Sequence, residues 1–136
     1  MRLSYREIPP LIDVSCVRTN VKYEEVSRMA EAAKKYGFIC AFAMPCFTER
    51  LAGLLKGSAI RLGGVVGFPS GADTTEQKIA CTNYMKALGC NEIDMVINVG
   101  ALQSGDDRFV RNEIRGVVEA AVPVKSILER KSPQKL

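Results

Sequence analysis

Between Asn91 and Asp106 the chain reads NEIDMVINVGALQSGD, and one carboxylate, Asp94, sits there in apolar company. A buried acid must be satisfied by partners or used for chemistry. Lys125 and Glu129 fall on the next apolar run, VKSILE, and Asp13 falls on the first, LIDVSCV. A carboxylate beside a lysine on a neighbouring strand is either a proton-transfer pair or a structural ion pair. The chain has no histidine, so acid–base work falls to carboxylates, lysines or water. Its five cysteines, Cys16, Cys40, Cys46, Cys81 and Cys90, form no close Cys-x-x-Cys pair. A zinc site would have to be assembled from scattered thiols and carboxylates. No metal site is expected, and free thiols in a reducing compartment are the simpler reading.

The elements that must position these groups follow from hydrophobic periodicity. Residues 11–17 read as a first strand after Pro9-Pro10. Residues 22–36 read as a helix, with Val26, Met29, Ala30 and Ala33 on one stripe and Gly37 as its stop. FICAFAM (38–44) is an unbroken apolar run, the mark of a strand buried on both faces. Pro45 is expected to end it, and Thr48 to cap a short helix over 49–56. A third strand over 60–68 carries glycines, which weaken it but permit close backbone approach. Thr74 and Gln77 have capping-box spacing ahead of a helix to about Leu88. A strand over 92–98 then leads through a loop to a helix over 106–121, with Phe109, Val110, Ile114, Val117, Val118 and Ala121 on its buried side. A fifth strand runs over 124–128 or 129.

This β-α alternation with short connections predicts an α/β fold with a parallel sheet. No Gly-x-Gly-x-x-Gly or Walker loop follows the first strand. Polar residues recur near strand ends and in the following loops: Asp13, Ser15, Ser70, Asp73, Asp94, Asn98 and Glu129. That pattern favours part of a (β/α)8 barrel, about five parallel strands with four intervening helices. Strand parity puts Ile93, Met95 and Ile97 on one face and Asp94, Val96 and Asn98 on the other. If the apolar face packs on helices, Asp94 and Asn98 face the inner side of the sheet. Lys125, Ile127 and Glu129 share a face of the fifth strand.

With 136 residues, 47% apolar and 25% charged, the chain has the composition of one soluble globular domain. No apolar run approaches the roughly 18 residues of a membrane span, and no secretory pattern opens the chain, so a cytoplasmic protein is expected. The net charge of +4 is mild and is not gathered into a stripe interleaved with aromatics, which gives nucleic-acid binding little support.

Several of these stretches together resemble deoxyribose-phosphate aldolase. Ile93-Asp94-Met95-Val96-Ile97-Asn98-Val99-Gly100-Ala101-Leu102 with Ser104-Gly105-Asp106 is similar to that family's fourth strand and loop. Val66-Gly67-Phe68-Pro69, Gly71-Ala72, Thr74-Thr75-Glu76 and Lys78 resemble its third strand and the helix start that follows. Val124-Lys125 with Ile127-Leu128-Glu129 resembles its fifth strand, and Tyr36-Gly37-Phe38 and Pro45-Cys46 fit its first helix end and second strand. On this resemblance, 1–129 is the N-terminal portion of an aldolase TIM barrel and 130–136 a divergent polar tail.

The resemblance implies a class I aldolase that reversibly cleaves 2-deoxy-D-ribose 5-phosphate to acetaldehyde and D-glyceraldehyde 3-phosphate through a lysine Schiff base. No cofactor or metal is implied, because the iminium is the electron sink. Asp94 matches the family's proton-shuttling aspartate. Asp13 matches another active-site carboxylate, Phe68 a pocket-lining residue, and Lys125 a lysine near the site. The Schiff-base lysine belongs to a later strand of the family and has no counterpart in this chain, which is therefore expected to be inactive alone. The implied partners are phosphorylated deoxy sugars, small aldehydes and a second copy in a homo-oligomer, a dimer by resemblance. Two departures stand out. The family's Ile-Asp-His-Thr is Ile12-Asp13-Val14-Ser15 here, and a glutamate of its third helix is Cys81. A half-barrel would also leave strands one and five unpaired, which predicts marginal stability, self-association or complementation by a C-terminal piece.

Overall fold

The unbroken apolar run after Gly37 becomes a strand with all four residues buried, Cys40–Ala43, and the architecture is arranged around it. The computed structural model describes Ser4, residues 7–121 and, for backbone alone, 124–127. Glu129 and the 130–136 tail lie outside the described residues. In chain order the elements are β1 (Asp13–Cys16), α1 (Tyr23–Tyr36), β2 (Cys40–Ala43), α2 (Pro45–Leu55), β3 (Arg61–Val66), α3 (Thr75–Ala87), β4 (Glu92–Val96), α4 (Val99–Gln103), α5 (Asp107–Ala120) and β5 (Val124–Ile127). The strands form one sheet in the order β1-β2-β3-β4-β5, each pairing parallel with the next. A sequential parallel order with a helical crossover at every step is the arrangement of a (β/α) barrel, here a part of one. No helix among the described residues is long and apolar enough to cross a membrane.

The boundaries depart from the sequence expectation in instructive places. Leu11 belongs to a 3-10 turn, Pro9–Leu11, and not to β1. Pro45 does not merely end β2; it opens α2. Proline's fixed φ suits the first helical position, where its missing N–H is no loss. Thr48 is then inside the helix and buried, with its hydroxyl donating to the Met44 carbonyl at 3.2 Å instead of capping a later start. The fourth crossover holds two helices, not one. Asn98 leaves the strand and caps α4, its Oδ1 accepting from the Ala101 N–H at 2.9 Å. Asp106 caps α5 by accepting from the Phe109 N–H at 3.0 Å. The expected Thr74–Gln77 box is present, with Thr74 N–H donating to Gln77 Oε1 at 2.9 Å and Gln77 N–H to Thr74 Oγ1 at 3.3 Å.

The sheet's two faces differ. The helix-facing side carries the main core, where Ala41, Ala43, Leu62, Val66, Ile93, Met95 and Ile97 pack with the helix stripes. The opposite face holds a smaller cluster of Cys40, Phe42 and Val65, flanked by Val17, Ile39, Met44 and Phe68. Glycines on β3 make both layers close. A Cβ on Gly63 would lie 2.2 Å from the Phe42 ring, and one on Gly64 would lie 2.9 Å from Met85 and Ile93 side chains. Close approach is thus the use of glycine in this strand. On α5 the buried positions are Val110, Glu113 and Val117, whereas Phe109 and Val118, expected inside, are exposed.

Candidate active site

Asp94 is the third residue of β4, buried to 9% exposure, and lies opposite Val65 on β3 and Lys125 on β5 in the register. Val65 belongs to the smaller cluster, while Ile93 and Met95 belong to the helix-facing core. Asp94 therefore faces away from the helices, as strand parity predicts. In a barrel that face is the interior. Asn98 is the exception to the parity reading, because the chain turns into α4 before reaching it.

One pleat lower, the face gathers charge, with Arg61 at the start of β3 opposite Cys40 in the register. Asp13 opens β1, Cys40 opens β2 and Glu92 opens β4. Carboxylate oxygens of Asp13 and Glu92 and the Cys40 Sγ all lie within 4.8 Å of one another. Burial, followed by the negative charges of Glu92, Asp13 and Asp94, pushes the Cys40 thiol up to about 12. These three side chains are the described group that could hold a cation, but a thiol held protonated is a poor metal ligand. Burial also pushes the Cys90 thiol up to about 12. Cys46, at the exposed start of α2, is accessible.

The residues singled out in the sequence divide as follows. Asp94 and Phe68 border the inner cluster, Asp94 through its pairing with Val65 and Phe68 by packing from the loop after β3. Asp13 joins Cys40 and Glu92 at the strand starts. The Lys125 backbone lies beside Asp94, and its side chain is outside the described residues.

The sequence reading missed a second charged centre on the helix side. Lys78 and Glu113 are fully buried and paired at 2.6 Å. The Lys78 ammonium also donates to the Gly71 carbonyl at 2.8 Å and the Val96 carbonyl at 3.0 Å. Glu113 Oε2 accepts from the Asn98 N–H at 2.9 Å. All three ammonium protons are thus engaged. The loop makes room for them: Gly67 and Gly71 have positive φ, and a Cβ on Gly67 would meet Lys78 Cε at 2.9 Å. The signal was present in the spacing. Lys78 shares a stripe with Thr82 and Met85, and Glu113 shares one with Val110 and Val117.

No family model matches the chain. A deoxyribose-phosphate aldolase of Sinorhizobium medicae (strain WSM419) is 47% identical over 130 residues, covering 93% of this chain and 52% of that protein. The chain is related to the deoxyribose-phosphate aldolases over about half of their length. A deoxyribose-phosphate aldolase of Bacillus cytotoxicus is 45% identical over 125 residues, 90% of this chain and 56% of its own length. Among solved structures, the tetrameric deoxyribose phosphate aldolase of Aeropyrum pernix superposes with a TM-score of 0.81 at 27% identity, covering 90% of this chain and 53% of that one. Sequence and fold thus point to the same aldolases, and in both comparisons about half of the relative has no counterpart here.

Proposed function

We propose that the chain supplies the Asp94-bearing half of a lysine-dependent aldolase barrel. The reaction is the reversible cleavage of 2-deoxy-D-ribose 5-phosphate to acetaldehyde and D-glyceraldehyde 3-phosphate through a Schiff base. The observation that carries this reading is the placement of Asp94: a buried carboxylate in mid-strand, turned away from the helices, with Lys125 opposite it in the register. There it can move a proton to and from a carbon acid held in the barrel. Asp13 and Phe68 border the same interior, and the Lys125 backbone pairs with Asp94 in the register. Lys78 is not the nucleophile, because its ammonium is closed off on the helix side by Glu113 and two carbonyls. The nucleophilic lysine comes from the other half of the barrel, and the chain by itself is inactive. On this reading residues 1–129 are the aldolase portion, 130–136 are a tail outside it, and the assembled protein is a cytoplasmic homodimer in deoxyribonucleotide catabolism.

Borohydride trapping with acetaldehyde tests this. The chain alone should give no covalent adduct. Mixed with the remaining half of the Sinorhizobium medicae relative, it should cleave deoxyribose 5-phosphate, with the adduct on that half. An adduct on this chain, or a mixture without turnover, would overturn the reading. Among the described residues the sheet order ends at β1 and β5, which favours a second reading: a non-catalytic half-barrel that pairs with its own copy. A stable dimer in sedimentation that gains nothing on mixing would select it.

A further inference from the structure

The Lys78–Glu113 pair is placed where stability alone does not require it. A buried ion pair gives little net stability over well-packed apolar side chains of the same volume. What an apolar pair could not do is hold backbone. Lys78 takes the last carbonyl of β4, Val96, and the carbonyl of Gly71 in the loop after β3. Glu113 takes the N–H of Asn98, the cap of α4. The two chain segments are also in direct contact, since a Cβ on Gly71 would fall 1.9 Å from the Ile97 carbonyl oxygen. One of these segments carries Phe68. The other leaves β4 only two residues after Asp94.

We infer that Lys78 and Glu113 are positioning residues that fix Asp94 relative to the Phe68 loop by clamping the backbone where β3 and β4 leave the sheet. Neither touches the reacting atoms; they act through Val96, Gly71 and Asn98. The inference rests on the aldolase reading for its catalytic consequence, but not for its structural content. A group that transfers protons must be held to within a fraction of an ångström, and a supporting pair behind the sheet supplies that rigidity from outside the pocket.

The test compares the double variant Lys78→Met/Glu113→Leu with Val117→Ala, a cavity variant in the same helix that leaves the clamp intact. In the full chain, hydrogen exchange at the Asn98 amide and the carboxyl ¹³C shift of Asp94 are measured for both. The double variant should speed Asn98 exchange and move the Asp94 signal, while Val117→Ala should leave both where they were at equal destabilisation. If the double variant does not fold, Glu113→Gln carries the same measurement, because it removes the charge that holds Lys78 in place. In the complemented barrel, the double variant should lose roughly a hundredfold in kcat with KM nearly unchanged. Unmoved Asn98 and Asp94 signals, or equal movement in Val117→Ala, would overturn the inference. Absence of turnover in the wild-type mixture would instead sink the aldolase reading and leave the exchange and ¹³C measurements to decide this one.

Discussion

This chain gathers charge in two places, one on each side of its sheet, and they are built on opposite terms. On the helix side, Lys78 and Glu113 neutralise each other, and the polar atoms left over are answered by Gly71, Val96 and Asn98. On the inner side, Asp13, Glu92 and Asp94 surround the Cys40 thiol, and their combined charge helps hold it protonated. The first centre is closed: every donor has an acceptor, and no proton is available for exchange with a substrate. The second gathers three carboxylates near one thiol, an arrangement useful where protons must move. Buried charge alone therefore does not mark a functional site. Carboxylates gathered on a face turned from the main core are the more informative sign.

The sharpest way to break this contrast is to remove one member of each centre. Lys78→Met strands the Glu113 carboxylate in the core and should cost about 3–5 kcal/mol, enough to lower the thermal midpoint severely. Asp13→Asn, at an exposed position among other acids, should change stability by less than about 1 kcal/mol. Equal losses in calorimetry would show that the two centres are not built differently. A smaller effect probes the backbone around the closed centre. Gly71→Ala forces a Cβ against the Ile97 carbonyl at a positive φ, whereas Gly105→Ala meets open space at a similar φ. The Gly105 variant should pay only the left-handed strain of about 1–2 kcal/mol, and the Gly71 variant a further 1–3 or so from overpacking.

A further effect depends on pH and involves one thiol on each side of the sheet, Cys40 on the inner side and Cys90 in the helix-facing core. The Cys40 and Cys90 thiols are pushed up to about 12 in the folded chain. Above roughly 8.5 the unfolded chain loses these protons while the folded chain keeps them, so stability falls as pH rises toward 12. Chemical denaturation across that range should show the decline, and Cys40→Ala should flatten part of it. A slope untouched by the substitution would remove Cys40 from the acidic centre. At neutral pH a thiol reagent should label exposed Cys46 and leave Cys40 and Cys90 unmodified until the chain unfolds.

Most of the frame was legible because it rests on local rules. The apolar run before Pro45, the Thr74–Gln77 box and the glycine after α1 each specify an element through a few neighbouring residues. Parity alone turned Asp94 to the correct face. The rest depended on contacts distant in sequence. Lys78 and Glu113 are 35 residues apart and meet only after α3 and α5 pack, so no local pattern joins them. The acidic centre combines first residues of β1, β2 and β4, which no sequence window contains together. Phe109 and Val118 misled for the converse reason: both are apolar, but the buried stripe of α5 passes through Glu113 between them. An apolar-only reading of that helix found Val110, Ile114, Val117 and Ala121 but widened the buried stripe to its two edges.

The strictly sequential strand order has a consequence for how such a chain is made. Each strand docks beside the one synthesised just before it, with its crossover helix already in hand. No segment has to wait for a distant partner, so the sheet can be added to strand by strand as the polypeptide leaves the ribosome. A chain assembled in this way can be divided after any crossover with its existing strand pairs made, leaving an open edge where the next strand would dock.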